Sequence, residues 1–173
     1  MSHQTAALPI ASVVLRILIV LNWIWGICIF GILCGTLFAH EWTLTALGVT
    51  AGHPIRGILP GLQAIAALGL VVIALNYMVL KRLVAMVDTV REGNPFVAAN
   101  AYRLHAIAWV MVGMQIVSII IGAIGKAIST SEQPIHLEAG FSVSSWVAIL
   151  FAFILARVFA EGTVMRADLQ GTI

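Results

Sequence analysis

Charge is what this chain has least of. Only 9% of its 173 residues are charged, whereas 61% are hydrophobic. Ordinary soluble domains are about a quarter charged, so the composition argues against a water-soluble globule. The apolar residues are contiguous, which excludes a disordered chain. Short alternating segments are missing, and with them the signature of a transmembrane barrel. No Lys or Arg precedes the apolar run that follows "MSHQTAALPIASVVL". That run also far exceeds a secretory h-region, so it reads as a retained first helix and not as a signal peptide. Neither end carries a lipidation motif. Repeats, low-complexity tracts and composition shifts are absent too, leaving one domain over residues 1–173.

Cysteine is equally scarce. Cys28 and Cys34 are six positions apart, well over one helical turn, so they point in different directions and cannot bridge within a helix. The spacing is not C-x-x-C, which weakens a disulfide-exchange reading; buried free thiols are expected.

What is present is four apolar stretches, at approximately 12–38, 57–80, 104–126 and 141–160. Each is long enough to cross a hydrocarbon core of roughly 30 Å, which takes about 20 helical residues. Inside lipid every backbone polar group must be satisfied internally, so these stretches are helices. The loops at about 40–56 and 127–140 are too short to fold independently. The fold class expected is all-α: a polytopic four-transmembrane-helix bundle.

Basic residues orient it. Lys81, Arg82, Arg91 and Arg103 lie between the second and third stretches; Arg16, Arg157 and Arg166 lie near the termini. An even number of crossings puts these seven on one side and leaves Arg56 and Lys126 on the other. Both termini and the middle connection are therefore expected in the cytoplasm.

That middle connection contains "REGNPFVAANAYRLH". Upstream, "KRLVAMVDTVRE" keeps helical periodicity through Leu83, Met86, Val87 and Val90, so the second helix should continue past the membrane. Gly93 suits the left-handed residue that closes a helix, Asn94 an N-cap, and Pro95 the first position of the next helix. Helices two and three are thus expected to extend as a cytoplasmic hairpin.

Polar residues within the spans are Asn22, Gln63, Asn76, Gln115 and Ser118, with Arg157 close to the inner end of the fourth. Interhelical hydrogen bonding at about 0.6 kcal/mol per bond is one reading. A polar path for a solute through Asn22, Asn76 and Gln115, in a small transporter or channel subunit, is the other. No span holds a carboxylate, so a proton or cation relay lacks its usual participant. The pairs Gly31/Gly35 and Gly57/Gly61 allow close helix approach, within the bundle or between copies in a homo-oligomer. Pro60 should bend the start of the second helix.

His40, His53 and His136 fall on the outer side near Glu41, Glu132 and Glu138, a ligand set for zinc or copper. None of these histidines has the spacing of a helix-borne pair, so no metal is assigned. Only His105 is close to a haem-ligating position, and no cofactor is expected. Ser142, Ser144 and Ser145 have no activating partner nearby in sequence, and no phosphate loop is present. Asp88 and Glu92, one turn apart, read as a solvated face. An enzyme is not expected, nor direct nucleic-acid binding.

The remaining polar residues gather at the inner boundary. Asp88, Arg91, Glu92, Asn94, Asn100 and Arg103 occupy the hairpin, and Arg157, Glu161, Arg166 and Asp168 continue from the fourth helix. Anchoring to anionic lipid is the plain account. The alternative is a docking surface for a protein, with Phe96 and Tyr102 as aromatic anchors. "DLQGTI" ends on an apolar residue suited to packing back onto the hairpin.

"VREGNPFVAANAYRLHAIAW" and "ILARVFAEGTVMRADLQGTI" resemble two stretches of a bacterial membrane family catalogued as domain of unknown function 2975. The matching positions are Gly93, Pro95, Phe96, Asn100 and Leu104, then Gly162, Leu169, Thr172 and Ile173. Ala167 departs from the acidic residue expected there. The resemblance spans essentially the whole chain and implies the bacterial inner membrane. Members are often encoded beside a small helix-turn-helix regulator, which implies such a protein as the cytoplasmic partner. The resemblance brings no catalytic or ligand residues.

Overall fold

A computed structural model describes residues 4–39, 55–129 and 139–171. Among them all regular structure is helical: α1 Gln4–Phe38, α2 Ile55–Arg91, α3 Ala98–Ile128 and α4 Val143–Gly171. All four are long and apolar enough to cross a membrane. Each exceeds its apolar stretch, because helix formation continues as long as no residue breaks it. α1 starts eight residues before position 12, and α4 runs eleven past position 160.

The stop after α2 has a clear local cause. Gly93 adopts φ +79°, a conformation that costs a residue without Cβ little. Its N–H donates to Val90 O at 3.1 Å, and the Asn94 N–H donates to Thr89 O at 3.0 Å. This pair of bonds is the Schellman closure, and it satisfies two carbonyls that the helix end would otherwise orphan. The expected left-handed glycine is therefore in place. The expected cap of the following helix is not: α3 begins at Ala98, and Asn94 and Pro95 belong to the turn. The Asn94 side chain is engaged elsewhere, as described below. At the other end of the fold, Ser142 caps α4, its Oγ accepting from Ser145 N–H at 3.3 Å.

The chain sorts into two compact units. One comprises residues up to 21, 75–113 and 142 onward, and so takes all of α4. Its core is Leu80, Leu104, Ile107, Ala108, Ile149 and Ala156, with Asn100 fully buried beside them. The other comprises residues 22–74 and 114–141. Its interior is more polar: Asn22, Thr36 and Gln115 are buried along with Ala66.

Large apolar side chains meanwhile face outward along the helices, among them Trp23, Trp25, Ile27 and Phe30 on α1 and Leu150, Phe151 and Ile154 on α4. Cys28 is also exposed and Cys34 half-buried, both free thiols. The expectation that both are buried is corrected for Cys28, which shares this outward apolar surface.

Candidate functional site

The polar side chains within the apolar helices come first. In the unit of residues 22–74 and 114–141, Asn22 donates from Nδ2 to Ile73 O of α2 at 3.1 Å. Gln63 donates to Thr36 O at 3.2 Å, and Thr36 Oγ1 donates to Leu33 O at 2.9 Å. Gln115 donates from Nε2 to Gly140 O at 2.9 Å, and the Gly140 N–H donates to Ser118 Oγ at 3.1 Å. Each amide thus serves a backbone carbonyl on another segment, as expected of polar groups that hold helices together. Asn76 is half-buried on α2.

Gly140 lies against the middle of α3, with about 15 Å of helix from Ser118 to Ile128 still to run. A Cβ at Gly122 would meet Ala139 O at 2.5 Å, so the two backbones are in direct contact. Buried backbone polar groups need partners, and Gln115 and Ser118 supply them for Gly140.

The second polar assembly surrounds the α2–α3 turn. Asn100 is its centre: Nδ2 donates to Thr89 Oγ1 at 2.7 Å and to Pro95 O at 3.0 Å. Thr89 Oγ1 passes its own proton to Met86 O at 2.8 Å. Arg103 Nη1 donates to Asn100 Oδ1 at 2.8 Å and to Ala85 O at 3.2 Å. One buried amide therefore ties the last turns of α2, the connecting turn and the first turn of α3. Asn100, expected on a docking face, is wholly inside, and Arg103 is turned toward its own chain.

α4 joins the same turn. Arg166 Nη2 donates to Asn94 Oδ1 at 2.8 Å, across 72 positions. Phe96 stacks at a tilt on Phe159, ring centroids 5.4 Å apart. Its edge lies where a Cβ on Gly162 would come within 2.8 Å, so glycine at 162 makes room for the ring. Phe96 remains 42% exposed, but its contacts make it a peg that attaches α4 to the turn. Arg157 and Glu161 form the expected i,i+4 pair at 2.7 Å on an exposed face. Next along the unit, Trp109 Nε1 donates to His105 Nε2 at 3.1 Å, and Phe153 meets both rings edge-on.

Arg91, Glu92, Asn94, Tyr102, Arg157, Glu161 and Asp168 are exposed, and Asp88 is half-buried. Sequence reasoning placed these on the inner polar face, and Arg157 also among the polar residues at the inner end of the fourth span. It missed Thr89, which accepts from Asn100, Phe159, which meets Phe96, and Thr163, which donates to Phe159 O; no local pattern marks these residues. His40, His53 and His136 lie outside the described residues. Among the described residues no three His, Cys, Asp or Glu side chains come together as metal ligands.

No family model matches the chain, no curated protein matches it, and no solved structure matches its fold.

Proposed function

We propose that this chain is a non-enzymatic multi-pass protein of a bacterial inner membrane whose α2–α3 turn and α4 end dock a cytoplasmic protein. The partner implied by the resemblance to domain of unknown function 2975 is a helix-turn-helix transcriptional regulator held at the membrane. Support for the membrane setting comes from the outward apolar side chains: Trp25 is 65% and Ile27 68% exposed, a surface that water would penalise. Support for orientation comes from the seven basic residues assigned to one side by an even number of crossings.

One observation carries the docking reading. The turn and α4 are pinned to one another through Arg166–Asn94 and Phe96–Phe159, so residues distant in sequence share a single preformed polar surface. A surface already ordered loses little entropy on binding. Tyr102, 73% exposed, stands on the first turns of α3, flanked in sequence by the Asn100–Arg103 frame that fixes its helix. Aromatic and Arg residues dominate binding hot spots, so Tyr102 and Arg91 carry the contact.

The test is co-purification from detergent-solubilised membranes with the regulator encoded beside the gene. Arg91→Glu together with Tyr102→Ala should abolish the complex while the chain accumulates normally in the membrane. A complex that survives both changes removes this surface.

A second reading, a small transporter or channel subunit, draws on the non-helical Gly140 beside Gln115 and Ser118, since interrupted helices line solute paths in membrane carriers. Replacing Asn22, Asn76 and Gln115 each by Leu would then stop solute flux in vesicles; unchanged flux removes that reading.

A further inference from the structure

A cleft of about 420 Å³ opens between the α2–α3 turn and α4. Asn94, Phe96, Val97 and Ala98 form one wall; Thr163, Arg166 and Ala167 form the other. We infer that this cleft binds the phosphate of an anionic phospholipid, held by Arg166, Asn94 and the opening N–H groups of α3.

The chemistry of the walls selects an anion. Arg166 is half-buried, and among the described residues no carboxylate pairs with it. Glu161 is occupied by Arg157, and Asp168 stands about 200° around α4 from Arg166. Arg166 spends one donor on Asn94 Oδ1, which leaves its other N–H groups and fixes the Asn94 amide with Nδ2 available to an acceptor. α3 has no acidic residue in its first turn, so the positive end of a 31-residue helix is uncompensated at Ala98. Arg166, Asn94 and the start of α3 at Ala98 thus line one cleft, and among the described residues no carboxylate lines it. Thr163 adds shape only, because its hydroxyl proton goes to Phe159 O at 2.8 Å.

Position selects a lipid as the source of that phosphate, and this step rests on the membrane placement proposed above. The apolar stretch of α4 ends near position 160, so Thr163 and Arg166 lie about 5 and 9 Å further along the axis. The headgroup layer begins there and is about 5–7 Å thick on each side, a distance that the Arg stem can span. Phe96, Val97 and Ala167 also line the cleft, giving the glycerol and ester region of a lipid apolar contact that a hydrated inorganic ion would not use.

The full chain purified in a neutral detergent, titrated with phosphatidylglycerol or phosphatidylcholine and weighed by native mass spectrometry, tests this. The wild type should retain phosphatidylglycerol about tenfold more strongly than phosphatidylcholine, the scale of one charge-assisted contact. Arg166→Gln should erase the preference, while Arg91→Gln, outside the cleft, should keep it. Arg166→Gln also loosens the turn, so Ala98→Glu is the second arm. A carboxylate in the first turn favours the helix but repels a phosphate, and Ala98 is exposed enough to accept it. A preference that persists in Ala98→Glu overturns the proposal. Displacement of phosphatidylglycerol by about 50 mM inorganic phosphate overturns the lipid source in favour of a soluble anion. An Arg166-dependent acidic peptide bound with no lipid preference overturns it in favour of a protein ligand. Carbonate extraction of membranes separates the two readings: a chain that resists extraction yet shows no headgroup preference loses only the cleft assignment, whereas an extracted chain loses the membrane placement as well.

Discussion

Asn100 shows what one buried amide contributes. It has both donors and its acceptor engaged within a fully enclosed site, with a charged partner in Arg103. Hydrogen bonds to charged groups contribute about 1.5–3 kcal/mol, and an orphaned buried partner costs a similar amount. Asn100→Leu fits the volume but strands Pro95 O and the Arg103 guanidinium. It should therefore lower stability by about 2–4 kcal/mol in thermal unfolding in detergent. Thr89→Val removes both hydroxyl bonds and leaves one donor of the buried Asn100 without its partner, so it should cost about 1–3 kcal/mol, while Thr89→Ser should cost less, because the hydroxyl persists. If Asn100→Leu unfolds with the wild type, the turn is held by packing and not by this network. Residue type alone placed Asn100 in a polar hairpin, and that much was legible. Its inward orientation was not, because it follows from Thr89 and Pro95 arriving from two sides of a turn whose shape Gly93 sets.

At the scale of elements, two glycines of similar appearance have opposite consequences. A Cβ on Gly31 of α1 meets nothing within 4 Å, whereas one on Gly122 of α3 meets Ala139 O at 2.5 Å and Gly140 Cα at 2.9 Å. Alanine in a helix gains up to about 1 kcal/mol over glycine. Gly31→Ala should realise that gain as a higher melting temperature of the single chain. Gly122→Ala should instead destabilise, since backbone cannot rotate away as a side chain does, and the displaced turn would release the Gln115 and Ser118 bonds to Gly140. Should Gly31→Ala lower the melting temperature, and do so more at higher protein concentration, a second copy packs on that face. The spans and the glycine stop were legible because hydrophobic run length and left-handed φ are local properties. Helix ends were less so. α3 starts at Ala98, and the Asn94 side chain expected to cap it accepts instead from Arg166, 72 positions away. Gly140 reaches the middle of α3 through Gln115, 25 positions away, and no periodicity encodes that return.

For the molecule as a whole, the reading depends on which side the α2–α3 turn faces. Nine basic residues divide seven to two if the four helices all cross, and Lys and Arg within short loops are what set orientation. That topology would put the turn and both ends in the cytoplasm and the connection between α1 and α2 on the other side. With Cys28 and Cys34 replaced by Ala, a single cysteine at Glu92, which is exposed beside the Schellman turn, reports one side, and a single cysteine at Thr50 reports the other. A membrane-impermeant maleimide added to intact spheroplasts should label Thr50→Cys and leave Glu92→Cys unmodified until the cells are lysed. The opposite pattern would turn the Arg91–Tyr102 surface away from any cytoplasmic regulator and present the Arg166 cleft to the outer leaflet. Labelling of both before lysis would mean that fewer helices cross than apolar length allows. The outcome bears on energetics as well as address. Lys81, exposed where the apolar stretch of α2 ends, would gain about 1 kcal/mol near an anionic leaflet, a contribution that would favour the inward orientation over its mirror.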